Sequence, residues 1–556
     1  MATQTKRHAQ RTESERREPR AMDVFDADMP RGIAMSGLIK HGGLYLLADE
    51  TRMEGRLADL MSASPYARSP NAPADVTDRL LSAAKNVPEN FFYHLVGNKP
   101  YKLHSSLVSY ITLNKVGITY SEADDPSPNI LGVMTFVGQF IDHDLTLNAM
   151  NLFNDQRPEA GRITDDASPT IDLDSVYGPR LDDDRGRLRE IPVNPDGTFV
   201  LTPVGDGFDV PRATRPDGSR EAKIGDKRND ENQIILQIHI LLMRLHNCFV
   251  RAGSTFEEAQ RKTILHWQSF VATEYLPLVA RAAEIDFVLT ELIDHVGARL
   301  RHQPERQKDG TLRLRMPHEF AIGFRFGHSQ LRSSYELRPG NRFALFSNIA
   351  NDGGDLQGGR DLDAGRVIDW PFFVGDTAAA PDPSNTIDTT VTDVVFDLPE
   401  STIPDDIRLV GNLPFRNLAR SDALGLCAGE ELADIYGIDR LAPDEVDSAR
   451  ADLFRLDGGF RTPLWYYLLR EAEVQRANGA GASPPSQLGT LGSRLIAEVV
   501  LSAIYYGPHS LLREEGDWTA DVPTRATDML TTSRGRKSKV ALSDIAAFVL
   551  ACENRP

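Results

Sequence analysis

One short stretch of the chain concentrates groups that could do chemistry. The segment VGQFIDHDLTL, residues 137–147, sets Gln139, Asp142, His143 and Asp144 into apolar surroundings. Residues three or four apart are neighbours on a helix, so the first three side chains form one polar patch. Buried polar groups are costly unless they are paired, so the pattern predicts a bound partner. A core histidine hydrogen-bonded to a local carboxylate would be the simpler explanation of this segment by itself.

Two later segments add groups of the same kind. FAIGFRFGHSQLRSSYEL (320–337) places His328 among aromatic residues just after Arg325, and GNLPFRNLARSDALGL (411–426) contains Asn417 and Arg420. Two histidines in apolar surroundings, each with arginines nearby, suit a haem: one binds the iron, one faces the open side, and the arginines hold the propionates.

The elements that must position these groups are mainly helical. Apolar residues recur at helical spacing over 129–145 and more strongly over 229–252, where Asn229 or Asp230 could cap the helix. Strand patterns are few and short, so we predict a mainly α fold with little β structure. Further helices are predicted at 255–282, 284–300 and 489–505.

The chain divides into three parts. Residues 1–75 are predicted to be a partly disordered arm, 76–515 the catalytic domain, and 516–556 a C-terminal tail packed on that domain. Within the domain, 340–410 is rich in Asp, Gly and Pro, which is typical of a long surface loop and favours an access lip.

Composition limits the partners. With 556 residues, a hydrophobic fraction of 41% and a net charge of −18, the chain can bury a large core and is a poor candidate for nucleic-acid binding. It has no run of about 18 apolar residues, so no membrane insertion is expected. The first 20 residues lack an apolar signal core, which predicts a cytoplasmic location or non-classical export.

Other candidate ligands are assigned no chemistry. The three cysteines are odd in number and widely spaced, which excludes a disulfide framework and a cysteine-based metal site. Histidines on the predicted core helices are expected to be ordinary buried residues. These residues are Cys248, Cys427, Cys552, His239, His246 and His266.

Five motifs in order carry a family resemblance. GQFIDHD, SPTIDLDSVYG (168–178), GDKRNDEN (225–232), FRFGHS (324–329) and NLARS (417–421) resemble the animal-type haem peroxidases of the peroxidase-cyclooxygenase superfamily. The resemblance covers roughly residues 85–510. Without a signal peptide and paired cysteines, the chain looks most like the bacterial members. The resemblance implies the haem peroxidase fold of the myeloperoxidase/cyclooxygenase type, with the haem between buried core helices.

The resemblance also implies roles for the polar residues. His143 matches the distal histidine, which takes a proton from H2O2 and returns it to the departing oxygen. Arg228 matches the distal arginine, and Gln139 would bind water or halide. His328 matches the proximal iron ligand, with Asn417 as its hydrogen-bond partner.

The remaining matches concern how the cofactor is held. Arg325 and Arg420 would pair with the haem propionates. Asp142 and Glu231 match the carboxylates that form ester bonds to haem methyl groups. Asn232 stands where a vertebrate member has a sulfonium-forming Met, so we expect haem b with ester links and no sulfonium bond.

A calcium ion is implied as well. Asp144, which follows the distal histidine, matches a calcium ligand and should point away from the haem. Hard oxygen donors of this kind suit Ca²⁺. The other ligands would come from the next motif: Ser168, Thr170, Asp172 and Asp174.

The predicted function is reduction of H2O2 and oxidation of small donors, namely halide, thiocyanate or phenols, through a ferryl intermediate. One alternative is a fatty-acid dioxygenase of the same superfamily, but those enzymes carry a tyrosine three residues before the proximal histidine, where this chain has Arg325. Another is a catalytically silent binding or adhesion module with this fold. A non-haem metal enzyme ranks last because no compact ligand cluster is present. The sequence gives no indication of the physiological donor or the oligomeric state.

Overall fold

The structure is a computed structural model that describes most of residues 125–553 and a few short pieces before residue 125. The predicted arm, Ser168 and Arg420 lie outside the described residues. The gaps after residue 125 are 147–168, 179–190, 215–219, 296–297, 307–311, 348–353, 397, 399–411, 415–416, 419–420, 422–425, 457, 480–485 and 554–556.

The described part of the chain is built mainly from helices, as predicted. The 3₁₀ segments are Lys227–Asp230, Phe324–Gln330, Ala364–Arg366, Asp393–Val395 and Ala451–Phe454, and a π-helical segment is Val271–Tyr275. The α-helices are α1 (Gly132–Leu145), α2 (Asp174–Tyr177), α3 (Gln233–Arg251), α4 (Phe256–Phe270), α5 (Leu276–Val279), α6 (Ala282–Asp294), α7 (His318–Gly323), α8 (Trp370–Phe373), α9 (Gly429–Tyr436), α10 (Pro443–Val446), α11 (Leu464–Ala477), α12 (Thr490–Tyr506) and α13 (Leu542–Glu553).

The described strands are two to six residues long and pair only in twos. Two pairs, Phe92–Tyr93 with Met316–Pro317 and Thr119–Ser121 with Thr390–Thr392, are parallel, and the others are antiparallel. The paired strands are Phe92–Tyr93 (β1) with Met316–Pro317 (β10), Thr119–Ser121 (β2) with Thr390–Thr392 (β14), Pro126–Leu131 (β3) with Pro383–Asn385 (β13), Thr202–Val204 (β4) with Gly207–Asp209 (β5), Arg212–Thr214 (β6) with Arg220–Ala222 (β7), Glu305–Arg306 (β8) with Leu312–Arg313 (β9), Ser334–Arg338 (β11) with Asn341–Ala344 (β12), Arg455–Leu456 (β15) with Gly459–Phe460 (β16), and Met529–Thr532 (β17) with Gly535–Ser538 (β18).

Two groups of helices share one apolar core. α3 packs against α1, α4 and α13, and α12 packs against α6, α7 and α11. The 3₁₀ segment 324–330 contacts α1 on one side and α11 on the other. The chain therefore places His328 between the two groups, facing the helix that carries His143.

α3 is the central helix of the first group. Every residue from Gln233 to Phe249 is buried, so its strong hydrophobic pattern reflects the core. Among the described residues it is also the one helix long and apolar enough to cross a membrane, and 94% of that window is buried inside the protein.

The start of α3 differs from the prediction. Asn232, and not Asn229 or Asp230, caps the helix, with Oδ1 accepting from the Ile234 amide at 2.8 Å. The two expected caps make other contacts: Asn229 bonds His143, and Asp230 forms an ion pair with Arg212. Both residues lie in the 3₁₀ turn that precedes α3, too far before the helix for their side chains to reach its first amides.

Other predicted helix limits also shift. The helix predicted at 129–145 begins at 132, because 126–131 pair with β13. The helix predicted over 255–282 is divided by the π-helical segment and ends at Val279. The segments predicted at 284–300 and 489–505 are helical over 282–294 and 490–506.

The prediction of a surface loop over 340–410 is wrong for 367–373 and 384–396, which are mainly buried, whereas 363–365 and 375–380 are exposed. β13 and β14 pair with strands that precede α1, and α8 buries Trp370 and Phe372. Ile387 and Val391 are also fully or almost fully buried. The Asp, Gly and Pro content reflects short turns between buried apolar residues, which a composition count does not separate from a solvated loop.

The C-terminal segment 516–553 lies against the first helix group. α13 packs on α3, Arg244 of α3 forms an ion pair with Glu553, and Phe249 contacts Phe548 with ring centroids 5.7 Å apart. His266 of α4 accepts hydrogen bonds at Nε2 from the amides of Asp521 and Val522.

Candidate active site

A single cavity collects most of the predicted site residues. It has an empty volume of about 1300 Å³, part of which is open to solvent, and it lies between α1 and the segment 324–330. Its walls include Thr135, Phe136, Phe324, Phe326 and Phe346. The predicted residues that line it are Gln139, Asp142, His143, Arg228, Glu231, Arg325 and His328.

His143 is held by a buried amide. Its Nδ1 lies 2.8 Å from Oδ1 of Asn229, and the side chain is 4% exposed. Because an amide oxygen only accepts, Nδ1 carries the proton and Nε2 presents a lone pair. Burial, followed by the nearby Arg228 guanidinium, lowers the pKa of His143 below its usual range. The neutral imidazole is the form that can accept a proton.

Arg228 is fixed by a carboxylate that the sequence did not single out. Its Nε and Nη2 donate to Asp226 at 3.0 and 2.7 Å, and Nη2 also donates to the carbonyl oxygen of His143 at 2.7 Å. Asp226 is fully buried. Although burial opposes it, the charge of Arg228 holds the pKa of Asp226 below its usual range. The cation is therefore anchored to the carbonyl of the candidate base.

His328 lies on the other side of the cavity. Its Nδ1 is 2.9 Å from the amide nitrogen of Asn417, whose Oδ1 is buried with no hydrogen-bond partner among the described residues. A half-turn of that amide brings the oxygen to Nδ1, which then carries the proton, so that Nε2 would bind a metal. The backbone nearby is fixed by Trp465, whose Nε1 donates to the Arg325 carbonyl at 3.1 Å.

Two carboxyl groups reach the cavity from the distal side. Asp142 comes from α1 and Glu231 from the turn before α3, and both side chains are partly exposed to the cavity. Asn232 lines the wall beside them. The three residues all line the same cavity.

Asp144 points away from the cavity into the loop that precedes α2. Its carboxylate accepts from the amides of Leu173 at 3.1 Å and Ser175 at 3.2 Å. Leu173 is the only described non-glycine residue with a positive φ, 60°, a conformation that costs an L-residue roughly 1–2 kcal/mol. The loop adopts this strained conformation where its backbone amides bind the Asp144 carboxylate.

The loop brings further oxygen atoms to the same place. Thr170, Asp172 and Asp174 are buried, and Thr170 donates to Asp172 at 2.9 Å. Burial and the neighbouring Asp172 raise the pKa of Asp144 to about 8. The described residues form no group of three or more acidic, His or Cys side chains arranged around a metal ion.

Sequence reasoning missed four residues of the site. Asp226 and Asn229 hold Arg228 and His143, His239 accepts from Asn229, and Tyr275 lines the cavity from the π-helical segment. A Cβ at Gly138 would lie 2.5 Å from the Tyr275 hydroxyl, so the small residue makes room for the phenol. The GDKRNDEN motif contained two of the four, but only the fold shows which atoms they contact.

The donor set fits a haem. One imidazole has an amide partner at Nδ1, a second neutral imidazole lies across the same cavity, and Arg325 supplies a positive charge for a propionate. The aromatic walls suit a flat apolar macrocycle. His328 would bind the iron, and the bound group would supply the redox chemistry.

A family-model match agrees with this fit. Residues 153–351 match the family model of the animal haem peroxidases. Peroxidase A from Dictyostelium discoideum aligns with a TM-score of 0.49 and 15% identity over 75% of this chain and 88% of that chain. A fatty acid alpha-dioxygenase from Arabidopsis thaliana gives 0.45 and 12% over 74% and 72%, and one from Oryza sativa gives 0.41 and 14% over 72% of each. No curated protein matches the chain.

The family model thus assigns residues 153–351 to the animal haem peroxidases, a family of haem-dependent oxidoreductases, in agreement with the resemblance that the five motifs predicted. The matched region includes Arg228, Glu231 and His328, whereas His143 and Asn417 lie outside it and are placed by the structure.

Proposed function

We propose that this protein is a haem peroxidase that reduces H2O2 to water and oxidises small donors, such as halide, thiocyanate or phenols. The observation that supports it best is the placement of a neutral His143, with its Nδ1 proton fixed, beside an anchored Arg228 in the cavity that also contains His328.

The residues divide the work of peroxide cleavage. Nε2 of His143 accepts the proton from the inner peroxide oxygen and delivers it to the outer one, which leaves as water. Arg228 stabilises the negative charge that develops on the outer oxygen. Its guanidinium does not need to reorganise, because Asp226 and the His143 carbonyl already hold it. A phenolic donor would then supply two electrons, and with two protons the second oxygen atom would also leave as water. A halide or thiocyanate ion would instead lose two electrons by taking up that oxygen atom.

The wall on the proximal side favours this activity over fatty-acid oxygenation. The position three residues before His328 is Arg325, and its side chain lines the cavity. A guanidinium does not form the oxidising radical that a phenol forms, so hydrogen abstraction from a fatty acid has no agent at this position. A propionate partner is the role that the charge supports.

Two further features of the cofactor site belong to this proposal. Asp142 and Glu231 line the cavity and would form ester bonds to haem methyl groups. An ester carries no charge, which would remove the cost of placing these acids beside the catalytic base. A calcium ion would neutralise Asp144, whose pKa is raised to about 8 by burial and by the neighbouring Asp172.

The test compares reaction with H2O2 in haem-loaded wild type and His143→Ala by stopped-flow absorbance in the Soret region. We expect the second-order rate constant to fall roughly 10²–10⁴-fold, the usual contribution of a general acid–base residue. His246→Gln, on α3 but bonded to Tyr177 and Gly197, is the matched control and should react like wild type.

Three results would contradict the proposal. They are failure of the chain to bind haem, an unchanged rate constant in His143→Ala, and oxygen uptake with a fatty acid in place of peroxide turnover. Steady-state rates with bromide, iodide, thiocyanate and a phenol would then rank the donors.

A further inference from the structure

A hydrogen-bonded chain of three buried side chains runs from the candidate base into the core. Oδ1 of Asn229 accepts from Nδ1 of His143 at 2.8 Å, and Nδ2 of the same amide donates to Nδ1 of His239 at 3.0 Å. All three residues are at most 4% exposed. They come from α1, the 3₁₀ turn 227–230 and α3, so the chain joins three elements.

The direction of these bonds decides which nitrogen of His143 can act as a base. An amide has one accepting end and one donating end, and His239 takes the donating end. The oxygen must therefore face His143, whose proton stays on Nδ1. If the amide were reversed, its NH₂ would face Nδ1 and the proton would move to Nε2, which could no longer accept from peroxide.

His239 is suited to accept from the amide. Burial lowers its pKa to about 3, so it remains neutral at any ordinary pH and Nδ1 keeps its lone pair. Its Nε2 is buried with no hydrogen-bond partner in the described part of the protein. An unsatisfied buried donor costs roughly 1–3 kcal/mol, and an apolar residue would fill the space without that cost. The contact at Nδ1 accounts for a histidine here, whereas packing alone does not.

We propose that Asn229 and His239 are positioning residues, which together hold His143 in the tautomer whose Nε2 accepts the peroxide proton. This inference rests on the proposed peroxidase function and adds two residues to it. His239, expected from the sequence to have no chemistry, thereby acts through two hydrogen bonds on a site that it does not line.

The experiment uses the haem-loaded full chain and four variants. Asn229→Leu removes both bonds, His239→Leu removes the acceptor and lets the amide reverse, and His239→Gln restores an acceptor oxygen in a side chain of similar reach. His246→Gln, another buried histidine of α3, reports the effect of losing a core imidazole elsewhere.

Two properties are measured besides folding. One is the second-order rate constant with H2O2. The other is the dissociation constant for cyanide, which arrives as HCN and hands its proton to the distal base, so that its affinity reports the accepting nitrogen without turnover. Haem content and the midpoint of thermal unfolding show whether each variant is folded.

We expect Asn229→Leu to lower the rate constant and raise the cyanide dissociation constant by about 10–100-fold, the usual size of an outer-shell effect. His239→Leu should change both in the same direction by about tenfold. His239→Gln should recover most of the wild-type values, and His246→Gln should match wild type.

The proposal is overturned if His239→Leu leaves both constants unchanged, or if His239→Gln is as impaired as His239→Leu. It is also overturned if His246→Gln loses as much as His239→Leu at equal haem content, because the effect would then be structural. The variant His143→Ala distinguishes failure of this inference from failure of the proposed peroxidase function. If it abolishes the peroxide reaction while the 229 and 239 variants react normally, only this inference fails, and if it reacts normally, the peroxidase proposal fails as well.

Discussion

Each reactive side chain in the cavity is paired with a second group that fixes it. Asn229 holds His143, Asp226 holds Arg228, and Asn417 contacts His328. Such partners fix the tautomer of an imidazole or the direction of a guanidinium. A side chain without a partner would sample several tautomers or orientations. The types of the reactive residues were predicted, but two of their partners were not.

The two cavity carboxyls give a prediction at this scale. After turnover with H2O2, we expect part of the haem to resist extraction with acid–acetone, because Asp142 and Glu231 are proposed to form esters with its methyl groups. Asp142→Asn and Glu231→Gln should each increase the extracted fraction, and the double variant should release all of it. Absorbance of the extract and mass spectrometry of haem-bearing peptides measure the outcome.

The matched control is His246→Gln, which should retain as much haem as wild type. Complete extraction from wild type after turnover would show that the carboxyls line the cavity without bonding the cofactor. Because Asn232 stands where a vertebrate member has the sulfonium-forming Met, no sulfonium-linked peptide is expected.

At the scale of elements, α1 presents polar side chains on two opposite sides. Gln139, Asp142 and His143 face the cavity, whereas Asp144 accepts backbone amides from the loop before α2. The positive φ of Leu173 shows that this loop is held against its own preference. Whatever fixes the loop also fixes the helix end from which the base projects.

This arrangement gives a prediction about metal removal. We expect protein purified without chelator to contain about one calcium ion per chain, and calcium at about 100 times its Kd to raise the free energy of unfolding by roughly 3 kcal/mol. Chelation should also lower the Soret absorbance, because α1 loses its anchor. Elemental analysis and unfolding curves with and without EGTA measure these effects.

Asp144→Ala should abolish calcium binding, and Asp142→Asn should leave it unchanged, since that carboxyl faces the cavity. Calcium-free preparations with unaltered stability and haem spectrum would refute the role of the ion. The three neighbouring substitutions, at Asp142, His143 and Asp144, should therefore produce three separate defects, in haem linkage, peroxide cleavage and structural integrity.

At the scale of the whole molecule, the C-terminal segment is joined to the core through a histidine. His266 donates from Nδ1 to the Lys262 carbonyl at 2.7 Å and accepts at Nε2 from Asp521 and Val522 at 2.9 and 3.2 Å. Burial lowers the pKa of His266 to about 4. Protonation of Nε2 would remove the acceptor for both amides.

The sign of the pH dependence follows from the two pKa values of His266. Between its ordinary 6.5 and about 4, the unfolded chain binds a proton that the folded chain does not, so stability falls as the pH falls. The full loss contributed by this residue is about 3 kcal/mol. His266→Gln cannot titrate and presents an amide oxygen to the same amides, so it should lack this part of the loss.

Chemical denaturation of both proteins from pH 7 to pH 4 measures the effect. The comparison is needed because buried acids such as Glu274 and Glu471, with pKa values raised to about 7, change stability in the opposite direction over the same range. Parallel curves for the two proteins would show that His266 does not couple the C-terminal segment to pH.

Local pattern predicted the helical class and the core helices around 132–145, 233–251 and 490–506. Apolar residues at 3.6-residue spacing form a continuous face when the segment is helical. It failed at 340–410. There, burial depends on pairing with strands more than 200 residues earlier, which no local composition records.

The same division holds for the site. The sequence determined the reactive residue types and their order, since an axial ligand for the iron, a base for peroxide and cations for charge stabilisation are residue types that the motifs contain. The tertiary structure alone decided that Asp226 anchors Arg228 and that Asn229 and His239 fix His143. Those contacts depend on which group donates and which accepts in each hydrogen bond between elements. The donors and acceptors are brought together only when the elements pack.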